Sequence, residues 1–389
     1  MNKIFKKPWF WILIAAAAVV IGGGLLLPAK PAPAETRLVG MSAPATGGYA
    51  RASTQRPFLF PLDLGAHPDF QTEWWYYTGN LATADGHSFG YQLTFFRRAL
   101  VPPPGRAARR SEWATDQVYF AHLTLTNVSN GTFGYHERFE RGAAGLAGAV
   151  GEPLYQVWLD DWSVKQIDVS HYRLQAGADD IQISLEMVDR KGPVLEGIDG
   201  LSQKGPQPGN ASYYVSQTRL DSQGSLQTGG QTFRVTGSSW MDHEFSTSAL
   251  ASDQVGWNWF ALQLSDGSEL MVYTIRKADG TIDSYSQGTL IYPDGKTRPL
   301  QKDDFEITVL STWKSPHSGA VYPAEWTVAV PSEQLKIQVK PRLADQELRV
   351  SFTYWEGAVS VSGSRAGKEV TGVGYVELTG YAKSMQGQF

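Results

Sequence analysis

Trp74-Trp75-Tyr76-Tyr77-Thr78-Gly79-Asn80-Leu81 and Trp257-Asn258-Trp259-Phe260-Ala261-Leu262-Gln263-Leu264 are two versions of one segment, with aromatic residues at the first, third and fourth places and leucine at the eighth. Each is followed within five residues by Asp-Gly, at 85–86 and 266–267, and then by another aromatic or aliphatic run. Asp-Gly between β-prone runs is the strongest short-range hairpin signal. A second match closes each copy, where Val235-Thr236-Gly237-Ser238-Ser239-Trp240-Met241-Asp242 parallels Val370-Thr371-Gly372-Val373-Gly374-Tyr375-Val376-Glu377. The opening segments lie 183 positions apart (74 to 257) and the closing ones 135 (235 to 370), so the first copy carries 48 extra residues, placed in loops around 101–116 and 190–212. Matches recurring in the same order point to one structural unit used twice.

Between these landmarks the apolar period is two. Ile181, Ile183, Leu185 and Met187 alternate with Gln182, Ser184 and Glu186, and Leu335, Ile337 and Val339 alternate with Lys336, Gln338 and Lys340. Such alternation marks half-buried strands. Further Asp-Gly turns stand at 279–280 and 294–295, and no amphipathic helix is evident; Gly142 to Val150 is too rich in Gly and Ala to bury a face. The fold expected is all-β, as two tandem antiparallel β-barrels over 63–246 and 247–389.

At the N-terminus, Lys3, Lys6 and Lys7 precede an uncharged, mostly apolar run from Pro8 to Leu27, a targeting segment at the border between a signal-peptide core and a span of about 20 residues. Ala32-Pro33-Ala34 before Glu35 offers a cleavage site, while the length of the run and its flanking lysines suit retention. Residues 1–34 are thus a signal peptide or a membrane anchor, and 35–62, rich in Pro, Ala and Gly, a flexible linker. Either way the remainder is exported and periplasmic, attached to the inner membrane by residues 8–27 if uncleaved. The chain has no cysteine, which excludes disulfides, thiolate metal sites and a cysteine nucleophile. A formal charge of −4, with basic clustering only at Arg106 to Arg110 in a Pro/Gly loop, gives no reason to expect nucleic acid as a partner. Thirteen Trp, 17 Tyr and 17 Phe supply ample surface to pack or to line a cavity for an apolar small molecule.

Four successive aromatics from Trp74 to Tyr77 must occupy both faces of their strand. They either plug a barrel end or form a π-rich wall for an unsaturated ligand. Glu73, beside His67 and Asp69, reads as a tie between the barrel and its lead-in loop. In Trp240-Met241-Asp242-His243-Glu244-Phe245, at the junction of the two copies, Trp240, Asp242 and Glu244 share one strand face and Met241, His243 and Phe245 the other. Two carboxylates at this spacing inside a barrel could not both ionise cheaply, which would leave a proton donor beside an anionic acceptor. The alternative is that they pair with arginines such as Arg97, Arg98 or Arg219 and stitch the domains together. His122 faces away from Leu123 and Leu125, as a rim or core histidine or as a ligand contact. There is no Gly-x-Ser-x-Gly elbow, no His-x-His or His-Glu-x-x-His zinc spacing and no phosphate-binding glycine loop, so neither a metal nor a cofactor is expected.

Several strings, among them HPDFQTEWWYYTGNL (67–81), GHSFGYQLTFFRRAL (86–100), SSWMDHEFS (238–246), GWNWFALQLSDGSELMVYTIRK (256–277) and GYVELTGY (374–381), resemble the AttH and carotenoid 1,2-hydratase-like family, often labelled predicted secreted hydrolases. The resemblance spans about 63 to 385. It implies two lipocalin-like (calycin-type) barrels with a pocket between or within them, and hydration of a terminal isoprenoid double bond; the hydrolase label finds no nucleophile here. Family members more often carry Arg where His243 stands and Asp where Asn258 stands, and His243 then becomes a substitute acid. The site expected is Asp242, His243 and Glu244 for acid–base chemistry, with Trp74, Tyr76, His122, Trp240, Trp257 and Trp259 around the ligand. A non-catalytic lipid or pigment carrier, or an envelope scaffold, is the competing reading.

Overall fold

The structure is a computed structural model that describes residues 47–106, 111–247 and 250–386. The targeting segment and residues 35–46 of the expected linker lie outside the described residues. No helix among the described residues is long and apolar enough to cross a membrane.

Among the described residues, twenty-three strands form two antiparallel sheets. The first holds β1 (Thr72–Ala82), β2 (Ser88–Ala99), β3 (Gln117–Asn127), β4 (Thr132–Arg141), β5 (Ala147–Val150), β6 (Gln156–Leu159), β7 (Trp162–Gln166), β8 (His171–Ala178), β9 (Ile181–Asp189), β10 (Val194–Leu195), β11 (Leu201–Gln203), β12 (Ala211–Thr228) and β13 (Gln231–Ser246). The second holds β14 (Gln254–Leu264), β15 (Glu269–Lys277), β16 (Gln287–Ile291), β17 (Thr297–Gln301), β18 (Glu306–Lys314), β19 (Val321–Val330), β20 (Leu335–Pro341), β21 (Glu347–Arg349), β22 (Thr353–Arg365) and β23 (Lys368–Leu378). Their spatial orders are β4-β3-β2-β1-β13-β12-β9-β8-β7-β6-β5 and β17-β16-β15-β14-β23-β22-β20-β19-β18. In each, the opening strand pairs with the closing strand and a meander grows from it. These are tandem lipocalin-like barrels, one nearly closed and one a half-barrel.

The repeat read from the sequence holds at the level of register. Tyr76 stands opposite Asp242 and Trp259 opposite Glu377, so the 183- and 135-residue offsets map one pairing onto the other. Alternation along these strands separates two buried faces. Trp75, Tyr77 and Leu81 of β1 point into the first barrel with Phe89, Tyr91 and Met241, and Phe260, Leu262 and Leu264 of β14 point into the second with Trp326 and Trp355. Tyr76, Trp240, Trp259 and Tyr375 point the other way, into a third cluster where the barrels pack on each other. The sequence reading put the carboxylates inside a barrel and left the ligand space between or within the two. Those interiors are filled by large side chains, and the faces carrying Asp242 and Glu244 meet the neighbouring barrel instead. The approach is close: a Cβ added at Gly90 would come within 2.4 Å of the Ala358 Cβ.

Residues 47–62 correct the expectation of a flexible linker up to 62. Tyr49 and Ala52 are buried, and Ala52 joins Phe70, Tyr213 and Phe245 in a cluster against the first barrel. The Tyr49 hydroxyl donates to Ala99 O (2.9 Å) and the Tyr213 hydroxyl to Thr54 O (2.7 Å). A few well-placed aromatics hold this segment, which its overall composition does not reveal.

Candidate functional site between the barrels

β1, β2, β12 and β13 of the first barrel face β14, β15 and β23 of the second across a pocket of about 70 Å³. Most of its wall is built from repeat-related pairs: Trp74 with Trp257, Tyr76 with Trp259, Thr94 with Tyr273, Phe96 with Ile275 and Asp242 with Glu377. Tyr214, Glu244, Lys204 and Leu250 complete it. Small-molecule sites are typically about 300–1,000 Å³, so a ligand of ordinary size enters only by displacing wall side chains.

Asp242 is buried and fully engaged. Oδ1 accepts from Ser216 Oγ (2.6 Å) and Trp240 Nε1 (2.7 Å), and Oδ2 accepts from the Tyr214 hydroxyl (2.6 Å), which itself accepts from Trp259 Nε1 (3.0 Å). Burial pushes this carboxyl up to about 7 against the pull of those three donors. Glu377 accepts from Trp257 Nε1 (2.7 Å) at Oε2 and borders the pocket; burial pushes it, too, up to about 7. Glu244 is ion-paired with Lys204, whose ammonium lies 5.0 Å from the centre of the Tyr273 ring and 5.6 Å from that of Tyr214. Burial alone would lower the Lys204 pKa, but the charge and hydrogen bond of Glu244 together with Tyr273 and Asp242 outweigh it and hold the amine above its ordinary value.

Two of the arginine partners weighed from the sequence are used elsewhere, Arg97 by Glu73 and Arg219 by Glu269. Trp240 touches the pocket through Asp242. His122 lies in the interface between the barrels but outside the pocket wall, with Nδ1 2.7 Å from the Tyr354 hydroxyl and Nε2 2.9 Å from Glu137 Oε1.

His243 is a correction. It points into the first barrel, on the face opposite Asp242 and Glu244, stacks on Trp75 (5.0 Å between ring centres) and places Nε2 2.9 Å from Glu73 Oε1. It cannot pass a proton to the pocket as a partner of those acids. Asn258 likewise turns from the pocket and accepts from the Tyr381 hydroxyl (2.9 Å).

Glu73 is the hub of a separate network that ties the lead-in segment down. Arg97 Nε donates to Oε2 (2.7 Å), His67 Nδ1 lies 2.8 Å from Oε1, and His67 Nε2 lies 3.1 Å from Asp63 Oδ1. Burial alone would raise the Glu73 carboxyl, but Arg97, His243 and His67 hold it well below the usual range. Burial would also lower His67, yet its bonds to Asp63 and Glu73 hold it above the ordinary histidine value. His67, Glu73 and His243 bring potential metal-ligating atoms within 4.8 Å of one another. With the Arg97 guanidinium already on Glu73 and both ring nitrogens of His67 set against carboxylates, the trio suits a hydrogen-bonded latch better than a divalent ion.

Three groups of the interface escaped the sequence reading. Glu377 stood in the quoted repeat, aligned with Asp242, and that alignment was the signal that could have found it. Lys204 and Glu196 come from the 190–212 insertion of the first copy, which has no counterpart to compare.

A sequence profile of the AttH-like family matches residues 51–381. The chain belongs to the AttH-like family. An AttH protein of Nitrosomonas europaea, known from a crystal structure at 2.00 Å, is 34% identical to this AttH-like chain with a TM-score of 0.73, over 87% of this chain and 99% of that one. Kievitone hydratase of Fusarium solani subsp. phaseoli is 26% identical over 193 residues, 46% of this chain, so the match spans about half (51%) of that curated relative. The crystal structure of kievitone hydratase from Nectria haematococca, at 16% identity and a TM-score of 0.64, covers 86% of this chain and 97% of its own and shares the fold.

Proposed function

We propose that the pocket between the barrels takes an apolar, unsaturated small molecule, such as an isoprenoid or prenyl chain, and adds water across its double bond. One observation carries this reading: Asp242 and Glu377, related by the repeat, are both held near neutrality in a single space walled by Trp74, Tyr76, Trp257 and Trp259. A group with a pKa near the working pH serves best as both donor and acceptor of a proton. The fold and partial sequence similarity to kievitone hydratase support the same class of chemistry.

The Glu377 carboxyl donates its proton to the less substituted alkene carbon, the π pair forming the new C–H bond. Positive charge develops on the other carbon, where indole and phenol rings stabilise it and exclude bulk water. A water molecule adds there and loses a proton to a carboxylate, so one alkene and one water give one alcohol and the enzyme is restored. Asp242, fixed by three donors, is placed to orient that water or take its proton. Glu244 remains the ion-paired wall of the site. Export rests on residues 1–34 alone, and we propose that the reaction takes place outside the cytoplasm.

The test is incubation of the full chain with prenylated phenols and isoprenoid alkenes in D₂O. Hydration yields an alcohol with deuterium on the less substituted of the two former alkene carbons. Glu377→Gln and Asp242→Asn should each cut turnover by about 100-fold or more, while ligand quenching of the pocket tryptophans survives. Undiminished turnover in both variants would overturn the acid assignment. Binding without turnover of any alkene would overturn the hydratase reading in favour of a carrier.

A further inference from the structure

We propose that Glu356 and Glu377 form one carboxyl pair that retains a single shared proton once Glu377 has delivered its own to the pocket, with the buried Glu356 holding it. This rests on the reading of the pocket as a hydration site and names a residue that the reading did not include.

The pairing of β22 with β23 sets Glu356 directly opposite Glu377, and both project from the face that packs on the first barrel. Directly opposite residues have Cβ atoms about 4.5–5.5 Å apart, close enough for the carboxyl groups to meet. Glu356 is fully buried. Its Oε2 accepts from the Tyr76 hydroxyl (2.7 Å), and its Oε1 has no hydrogen-bond partner among the described residues. No Lys or Arg among the described residues is ion-paired with either glutamate; Lys204, the nearby cation, is taken by Glu244. The remaining titratable groups around the pair are Asp242 and the hydroxyls of Tyr76, Tyr354 and Tyr375. Two carboxylates so placed cannot both ionise, and the first proton to leave makes the second harder to remove. Burial, and then the charge of Glu377, hold Glu356 well above the usual range, which identifies Glu356 as the member that keeps the shared proton.

The other copy shows what this position is for. Opposite Asp242, where the second copy has Glu356, the first has Ser216, whose hydroxyl donates to Asp242 Oδ1 (2.6 Å). The position serves the neighbouring acid in both copies, by a hydroxyl in one and by a carboxyl in the other. In a cycle, Glu377 gives its proton to the alkene carbon, the proton held by Glu356 is shared with the new Glu377 carboxylate, and the proton released by the added water returns to Glu377, which borders the pocket. No oxidant or further reactant is needed.

The experiment is infrared titration of the full chain with ¹³C-carboxyl glutamate, without substrate, in wild type, Glu356→Gln, Glu356→Ser and Glu377→Gln. In wild type a protonated carboxyl band should persist above neutral pH. The part of that band due to Glu356 should vanish in both Glu356 variants, leaving the signal of Glu196, and the Glu377 midpoint should rise, because its carboxylate loses the proton shared with it. Glu377→Gln removes the opposing charge and should lower the Glu356 midpoint by about one unit, a tenfold change. The serine variant copies the first repeat and guards against a folding defect, which circular dichroism checks. Midpoints unchanged in the partner's absence would overturn the shared proton. Because no substrate is used, that failure is separate from a failure of hydration, which only the D₂O assay reports.

Discussion

Glu196 offers the sharpest stability test of the interface. It is fully buried, its carboxyl oxygens have no hydrogen-bond partner among the described residues, and the hydroxyls of Ser216 and Thr289 and the carboxyls of Asp242 and Glu244 stand around it. Burial pushes it from 4.5 up to about 8. A carboxyl raised in this way keeps its proton in the folded state while the unfolded chain has lost it. Stability therefore falls as pH rises from about 4.5 to about 8 and levels off above that. At 1.36 kcal/mol per unit the shift corresponds to roughly 5 kcal/mol as an upper bound. Glu196→Gln removes the titration. Its packing and hydrogen-bond costs do not depend on pH, so the informative quantity is the change with pH of the stability difference between variant and wild type. Urea denaturation followed by tryptophan fluorescence at pH 5 and pH 8.5 should show the variant gaining several kcal/mol on wild type across that interval. A difference that stays the same at both pH values would refute the reasoning, because Glu196 would then ionise alike in the folded and unfolded chain.

Lys204→Met should leave Glu244 buried without its cation and cost about 3–5 kcal/mol, and adding Glu244→Gln should recover most of it, as a denaturant double-mutant cycle would show. Gly90→Val should force the barrels apart at Ala358 and destabilise by about 1–3 kcal/mol, with increased binding of a hydrophobic dye at the opened interface. His67→Ala should release the lead-in segment and make residues 51–66 sensitive to protease. In wild type the stabilisation from His67, whose pKa is raised in the fold, is full below its unfolded value and lost as pH rises through the folded one. Hydrogen exchange of Ala50 and Leu59 should accordingly speed up over that range by more than the intrinsic rate.

The two halves of the junction motif show how far strand alternation can be read. Asp242 and Glu244 on one face and His243 on the other follow from a period of two, and the structure keeps that division. Alternation does not say which face looks into a barrel, because here both faces are buried. Polar residues on one of them suggested a barrel lumen, whereas they belong to a surface that a second barrel covers. Trp75, rather than Trp74, fills the first barrel for the same reason. His122 faces away from its apolar neighbours as the alternation required, but what it meets is Tyr354, 232 residues further along the chain.

The order of apolar and polar residues, the Asp-Gly turns and the doubled motifs were enough to determine an all-β chain built from one unit used twice, since turn chemistry and strand alternation are local properties. Only the tertiary structure decided that the two units meet face to face, that their matching strands bring Asp242 and Glu377 to one pocket, and that an insertion carries Lys204 and Glu196 into the same interface. The acidity of these groups is set by how much water the opposing barrel removes, and that depends on residues separated by more than a hundred positions.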